Sequence, residues 1–248
     1  MKTALVLIPT LTLFLAAAAH ASVTEKFSQT CPLNGDGTIS LSNVNGPVEI
    51  VAWDKSEVSI EAVKEASDEA GLRRIQIMVE STPARLTIKT EHENSWKIWG
   101  TFQSSVRYTL RVPARSKLDK INTVNANITV AGVHGSVNLD TVNGSIKATG
   151  LTADAQLESV NGSLSAEFAS LEKVFEVKIK SVNGAAEVTL PKGAGARIKT
   201  SSLNGHTNVE PNIKLSDSGY RGVTGEIGTG GPSITLGTVN GSIAVREK

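Results

Sequence analysis

The fold is decided by a short stretch that returns at a fixed interval: Thr141-Val142-Asn143-Gly144-Ser145-Ile146 is followed eighteen residues later by Ser159-Val160-Asn161-Gly162-Ser163-Leu164. The central Val-Asn-Gly or a close variant of it (Val-Asn-Ala, Leu-Asn-Gly) occurs seven times, with its asparagine at Asn45, Asn125, Asn143, Asn161, Asn183, Asn204 and Asn240. From Asn125 onward the spacings are 18, 18, 22, 21 and 36 residues, which we interpret as one interval with small insertions and one skipped copy. Such periods are typical of stacked-repeat architectures.

The residues around each asparagine alternate between apolar and polar, as in strands with one buried face. Around Asn143 the apolar positions are Leu139, Ile146 and Ala148, and the same offsets are apolar in the other copies almost throughout. Strands this short cannot each bury an apolar face alone, but stacking successive units in register buries it. The sequence therefore predicts an all-β, single-domain β-solenoid with coils of about 18–22 residues.

The Asn-Gly pair is interpreted as the corner of each coil. Glycine accepts a positive φ without steric cost, and asparagine tolerates the left-handed region better than most residues. In a stack, the asparagine amides would form a ladder from coil to coil. Asn-Gly is also a strong hairpin signal, so a sandwich or meander of antiparallel hairpins is the alternative. The constant apolar phase on both sides of each corner favours the solenoid.

Two longer segments carry a family resemblance. The segment 225–243, which contains Gly-Thr-Val-Asn-Gly-Ser-Ile, and the segment 44–54, which ends in Trp53-Asp54, resemble the DUF4097 family of adhesin-like β-helical domains. The resemblance covers most of residues 35–246. It implies a β-helical extracytoplasmic domain linked to adhesion or envelope functions, and it supplies no catalytic residues.

The chain begins with a segment of export type. Met1-Lys2 is followed by an apolar run from Thr3 to Ala19, and Ala19-His20-Ala21 has the small-x-small form of a cleavage site. We expect residues 1–21 to be a cleaved signal peptide, with a retained membrane anchor as the alternative. Residues 22–35 are then a lead-in and 36–248 the solenoid. Within it, 36–115 holds longer strands and a capping segment, and 116–248 holds the regular repeats. The expected location is the periplasm, the medium or the cell surface.

Composition excludes several classes of protein. Among the 248 residues, 25 Lys and Arg balance 24 Asp and Glu, which argues against nucleic-acid binding through a general basic surface. The single cysteine, Cys31, excludes a disulfide framework and a multi-cysteine zinc site. No nucleophile elbow, phosphate loop or dinucleotide fingerprint occurs. We expect no metal, no cofactor and no nucleic-acid partner.

An aromatic cluster is the first candidate site. Trp96, Trp99 and Phe102 lie within seven residues in a chain that has ten aromatic residues in all. Exposed aromatic rings are platforms for sugars, lipids or protein surfaces, so these three residues are candidate ligand-binding residues. The alternative is a hydrophobic lid over one end of the solenoid.

A charged column is the second candidate. Asp140 and Glu158 each lie three residues before a corner asparagine, and Lys180 holds the same place in the next copy. Stacking would place the two carboxylates about 4.8 Å apart, near the separation of the acid and nucleophile in retaining glycosidases. A solvated surface ladder is the competing interpretation, and we favour it because no aromatic floor accompanies the pair.

Together these patterns predict a non-enzymatic, extracytoplasmic β-solenoid. We expect it to be an adhesin or an envelope-associated binding or scaffold protein, whose partner is a polysaccharide or an envelope or surface protein. No integral membrane segment is expected after signal cleavage. The alternative is a β-helix-type carbohydrate-active enzyme that uses Asp140 and Glu158. A structural scaffold that binds nothing small is a third option.

Overall fold

The computed structural model describes residues 22–92, 104–210, 213–219 and 222–248. The strands before the regular repeats, with one short helix, are β1 (Val23–Pro32), β2 (Thr38–Ser42), β3 (Val48–Trp53), β4 (Glu57–Ala66), α1 (Glu69–Arg73), β5 (Ile75–Ser81), β6 (Arg85–His92) and β7 (Ser104–Pro113). The predicted signal peptide, and Trp96, Trp99 and Phe102, lie outside the described residues.

The regular repeats supply the remaining strands in pairs. They are β8 (Lys117–Thr123), β9 (Ile128–Ala131), β10 (Val137–Asn143), β11 (Ile146–Leu151), β12 (Ala155–Asn161), β13 (Leu164–Phe168), β14 (Glu176–Asn183), β15 (Ala186–Leu190), β16 (Ala196–Asn204) and β17 (Thr207–Val209). Then follow β18 (Ile213–Gly219), β19 (Gly222–Ile227), β20 (Ser233–Asn240) and β21 (Ile243–Glu247).

The strands form two stacked sheets, and each coil of the chain gives one strand to each sheet. The first sheet has the order β1-β4-β7-β3-β9-β11-β13-β15-β21-β17, and the second has the order β18-β19-β16-β20-β14-β12-β10-β8-β2-β6-β5. Neighbouring repeats pair in parallel and in register, so that Leu139 lies opposite Leu157 and Asn143 opposite Asn161. The predicted β-solenoid is therefore confirmed, and the antiparallel alternative is wrong for the repeats.

The core is the aliphatic filling between the two sheets. The predicted inward columns are buried in both: Leu139, Leu157 and Ile179 have no exposed surface in one sheet, and Ala148 and Val188 have none in the other. Each fully buried aliphatic side chain of this size contributes roughly 1.5–3 kcal/mol. Because the columns continue from coil to coil, the chain has one continuous core.

The first part of the chain extends both sheets with antiparallel strands. The lead-in 22–35 contains β1, which pairs antiparallel with β4, and β4 pairs antiparallel with β7. In the other sheet β5 pairs antiparallel with β6. Between β4 and β5 the chain makes the short helix α1, where the Asp68 carboxylate accepts a hydrogen bond from the Gly71 amide at 2.6 Å.

The last coil along the chain is not the last coil in space. β20 lies between β14 and β16, and β21 lies between β15 and β17. The 36-residue spacing before Asn240 therefore contains no skipped coil, which corrects the sequence interpretation. Instead, β18 and β19 form an antiparallel hairpin beside β16, and the chain then returns to fill the layer that β16 and β17 leave open.

The corner glycines are required for a different reason from the one the sequence suggested. Among the seven corners only Gly46 has a positive φ, at 111°. A Cβ added at Gly144 would lie 1.9 Å from the carbonyl oxygen of Ala126, and one at Gly162 would lie 1.9 Å from that of Gly144. Glycine is thus needed because stacked corners bring backbone against backbone, and the asparagines do not use the left-handed region.

Candidate functional site

The outer face of the longer sheet carries a continuous row of exposed hydrophobic side chains, the apolar stripe. Its members directly precede the corner asparagines and, in spatial order, are Val44, Val124, Val142, Val160, Val182, Val239 and Leu203. Each is between 37% and 49% exposed. They account for seven of the ten exposed large hydrophobic residues in the described part of the chain, so the exposure is concentrated rather than scattered.

The stripe arises from strand alternation. The residue two positions before each asparagine points inward, so the residue one position before points out. With neighbouring strands about 4.8 Å apart, seven members extend over about 29 Å. Contiguous exposed apolar surface of this kind marks interaction sites, whereas single exposed valines are ordinary.

An asparagine ladder borders the stripe. The Nδ2 of Asn143 donates to Oδ1 of Asn125 at 2.8 Å, and Asn161 donates to Asn143 at the same distance. The same bond, again at 2.8 Å, links Asn125 to Asn45, Asn183 to Asn161, Asn240 to Asn183 and Asn204 to Asn240. The structure thus brings all seven predicted corner asparagines into one column.

A buried hydroxyl column lies on the other side of each stripe residue. Ser159 Oγ donates to the Gly144 carbonyl of the neighbouring coil at 3.0 Å, and Ser181 makes the same bond to Gly162. Equivalent bonds run from Thr141 to Ala126, Ser202 to Gly241 and Thr238 to Gly184, while Thr123 donates to the Val44 carbonyl at 3.3 Å. Because the corner is fixed on both sides of the stripe residue, the stripe has a rigid base.

The predicted charged column runs parallel to the stripe, two residues earlier in each strand. Asp140 lies opposite Glu158, and Glu158 lies opposite Lys180. Glu158 Oε1 also accepts a hydrogen bond from Gln156 at 3.1 Å. Burial, and secondarily the neighbouring Glu158 carboxylate, raise the pKa of Asp140, while Lys120 opposes the rise.

The column continues past Lys180 to Gly237 and then Ser201. Since Gly237 has no side chain, an open groove of about 600 Å³ forms there. Its lining includes the stripe residues Val160, Val182 and Val239, with charged residues of the column on one side. The groove is therefore apolar along the stripe and charged along its other wall.

Sequence reasoning found the charged column and the ladder but missed the stripe. The signal was present, because an apolar residue occupies an outward phase in all seven copies. Interpreting the tripeptide as a corner alone does not predict that its first residue is exposed. The aromatic candidates Trp96, Trp99 and Phe102 lie outside the described residues. The described residues that flank them in the sequence are His92 and Ser104. The Ser104 carbonyl accepts a hydrogen bond from Asn45 Nδ2 at 3.1 Å.

Comparison with known proteins identifies the repeat region. The family model described as Toastrack DUF4097 matches residues 119–246, slightly more than half of the chain. The chain belongs to the Toastrack DUF4097 family. The resemblance inferred from the sequence is therefore confirmed, and the matched residues include six of the seven corner asparagines, all except Asn45.

Solved structures resemble this chain at low sequence identity, and one of them, with a TM-score above 0.5, shares its fold. A "putative cell adhesion protein" from Clostridium sporogenes is 15% identical, with 90% of this chain and 100% of that chain covered and a TM-score of 0.54. A "putative adhesin" from Bacteroides fragilis is 12% identical, with coverage of 90% and 97% and a TM-score of 0.41. A "putative lipid binding protein" from Parabacteroides distasonis is 14% identical, with coverage of 89% and 96% and a TM-score of 0.31. No curated protein matches the chain.

Proposed function

We propose that this chain is a non-enzymatic adhesion protein that binds a protein partner through the apolar stripe. The observation that carries the proposal is the stripe itself, a row of seven exposed hydrophobic residues on a rigid sheet face. Keeping so much apolar surface in water is unfavourable, and binding would remove it. The asparagine ladder on one side and the charged column on the other would form a polar rim, as at protein interfaces.

A protein partner fits this face better than a polysaccharide. Sugar rings bind by stacking on aromatic side chains, whereas the groove is lined by valines together with hydroxyl and charged groups. A flat row of β-branched side chains matches a second apolar protein surface.

We propose an extracytoplasmic location for the chain. The predicted signal peptide at 1–21 and the adhesin-like fold support it. Within the described ranges no helix combines the length and apolar character needed to cross a membrane. An exported chain can present its rigid face to partners at the cell envelope.

A pair of matched variants tests the proposal. Val160→Thr with Val182→Thr keeps the β-branched shape but adds two hydroxyls to the stripe. The control is Val51→Thr, because Val51 is equally exposed on the outer face of the other sheet. Binding of labelled protein to cells of the source organism is measured before and after treatment of the cells with protease or with periodate.

We expect the double variant to bind about tenfold more weakly, since each changed methyl contributes about 0.8 kcal/mol. Val51→Thr should bind like the wild type. Protease treatment should abolish binding, and periodate, which destroys sugars, should leave it intact. Full binding by the double variant, or loss with periodate alone, would show that the stripe does not recognise a protein.

One observation favours a second candidate function, glycoside hydrolysis. The raised pKa of Asp140 beside Glu158 is the arrangement of a general acid next to a nucleophile. The wild-type protein and the Asp140→Asn, Glu158→Gln double variant are compared for release of reducing sugar from a polysaccharide panel. The adhesion proposal expects no activity from either protein; activity lost only in the variant would establish the enzyme.

A further inference from the structure

We propose that the partner of the apolar stripe is a second copy of this chain, with the two solenoids packed face to face and antiparallel. This inference rests on the proposed function and names the partner of that face. It depends on the order of charges along the face, which is not symmetric from one end of the stack to the other.

The charged column changes sign at the middle of the stack. On one side of the midpoint between β12 and β14 the charged column carries Asp140 and Glu158. On the other side the same face carries Lys178, Lys180 and Lys199. The acidic side also carries Lys117, Asp119 and Lys120 on β8, and Lys120 lies close enough to Asp140 to affect its pKa. Glu176 is the acidic residue on the basic side, where it pairs with Lys178 at 2.7 Å.

A two-fold axis parallel to the strands, at that midpoint, makes the face complementary to itself. It would place Glu158 of each copy opposite Lys180 of the other. It would also place Asp140 opposite Gly237, where the groove beside Lys180 and Lys199 is open. The missing side chain at Gly237 thus leaves room for a carboxylate from the second copy.

The same axis pairs the members of the apolar stripe. Val160 would meet Val182 of the second copy, Val142 would meet Val239, and Val124 would meet Leu203. Six of the seven stripe residues are paired in this way, and Val44 extends past the end. The apolar and the charged registers therefore agree on one position of the axis.

A parallel arrangement fails the same comparison. If both solenoids ran in the same direction, each strand would face its own copy. With the two stripes superposed, the strands of the two copies would then run in opposite directions, so each charged column would lie on the far side of the stripe, over the corners of the second copy, and Glu158 would not meet Lys180. The charge order therefore selects the antiparallel dimer.

The size of the face sets the expected strength. Six strands spaced at about 4.8 Å, with about 15 Å of face between the outer columns, cover roughly 400 Å² on each copy. The total is below the range of standard stable interfaces and belongs with weak or transient ones. We therefore expect a dimer that forms at micromolar or higher concentration and is reinforced when many copies share a surface.

Charge reversal tests both the dimer and its direction. Glu158→Lys alone gives each face lysines at both positions, and Lys180→Glu alone gives each face glutamates at both. Sedimentation velocity from about 10 µM to about 1 mM should show weaker self-association for each single variant, by about tenfold in Kd. An equimolar mixture of the two variants should regain association, because each lysine then meets a glutamate. Melting temperatures confirm that both variants are folded, and Val51→Thr is the control that should dimerise like the wild type.

The outcomes separate this inference from the proposed function. A wild-type protein that stays monomeric at about 1 mM, or a mixture no tighter than its components, overturns the second-copy proposal. In that case, protease-sensitive binding to cells that is lost in the Val160→Thr, Val182→Thr variant would still support adhesion to a different protein. Cells lacking the gene should lose binding if the second copy is the partner and retain it otherwise.

Discussion

At the scale of single residues, Gly144 and its equivalents allow the backbones of neighbouring coils to approach closely. The position of each glycine could be predicted from the repeat, but the physical reason why glycine is required there could not. The sequence suggests a turn with positive φ, whereas the structure has close contact between the backbones of stacked corners. Such a contact depends on which strand lies next door, and a local sequence pattern does not contain that information.

Two glycine substitutions, one at a corner and one within a strand, test this explanation. Gly144→Ala would place a methyl 1.9 Å from the Ala126 carbonyl, so we expect a loss of about 1–3 kcal/mol in the free energy of unfolding. Gly237→Ala is the matched control, because its Cβ would meet only Lys180 Cγ at 3.9 Å and should change stability by less than about 0.5 kcal/mol. Chemical denaturation measures both. Equal effects would contradict the contact explanation.

At the scale of a strand, the repeated motif has a separate role for each position. The serine or threonine is buried and bonds to the neighbouring corner, the valine is exposed, and the asparagine links the ladder. Alternation alone predicts that the first position points inward and the second outward. It does not predict that a buried hydroxyl is satisfied by a carbonyl of another coil, because this bond exists only once the coils are in register.

Ser159 offers a clean test of the hydroxyl column. Ser159→Ala leaves the Gly144 carbonyl without its 3.0 Å donor, and we expect a loss of about 1 kcal/mol in the free energy of unfolding. Ser159→Thr keeps the hydroxyl, and threonine already occupies this position at Thr123, Thr141 and Thr238, so it should be nearly neutral. Thermal and denaturant unfolding measure the stability of both variants. If the alanine variant is as stable as the threonine variant, the hydroxyl does not stabilise the corner.

At the scale of the whole molecule, the stack could be predicted because its period and phase are written in the repeat. The order of the coils could not. The spacing of 36 residues is compatible with a skipped coil. No pattern in residues 205–239 indicates that β20 will pair between β14 and β16, or β21 between β15 and β17. The antiparallel strands at the ends β1-β4, β5-β6 and β18-β19 lie outside the repeat, so the period gives no information about them.

A buried hydrogen bond joins the two sheets near the start of the chain. The hydroxyls of Tyr108 in one sheet and Thr90 in the other are 2.7 Å apart, and burial raises the pKa of Tyr108 to about 12. Below pH 10 we expect Tyr108→Phe to be less stable than the wild type by about 1–3 kcal/mol, because Thr90 loses its partner. The advantage of the wild type should be lost as the pH rises from 10 towards 12, since the unfolded chain releases the phenolic proton first.

Unfolding free energies of both proteins at pH 8 to 11 check this prediction. The difference between them should fall by about 1.4 kcal/mol by pH 11, which corresponds to one pKa unit. A difference that does not change with pH would mean that Tyr108 ionises equally easily in the folded and the unfolded chain.

The insertion of β20 and β21 between earlier layers affects how the molecule is made. A ribosome releases β14 to β17 before β20 and β21 exist, yet β16 has its parallel neighbour only when β20 arrives. The nascent chain can therefore build its layers one by one only as far as β14 and β15. From that point the remaining strands must assemble together, and the closing step has to wait for residues 233–247 to emerge.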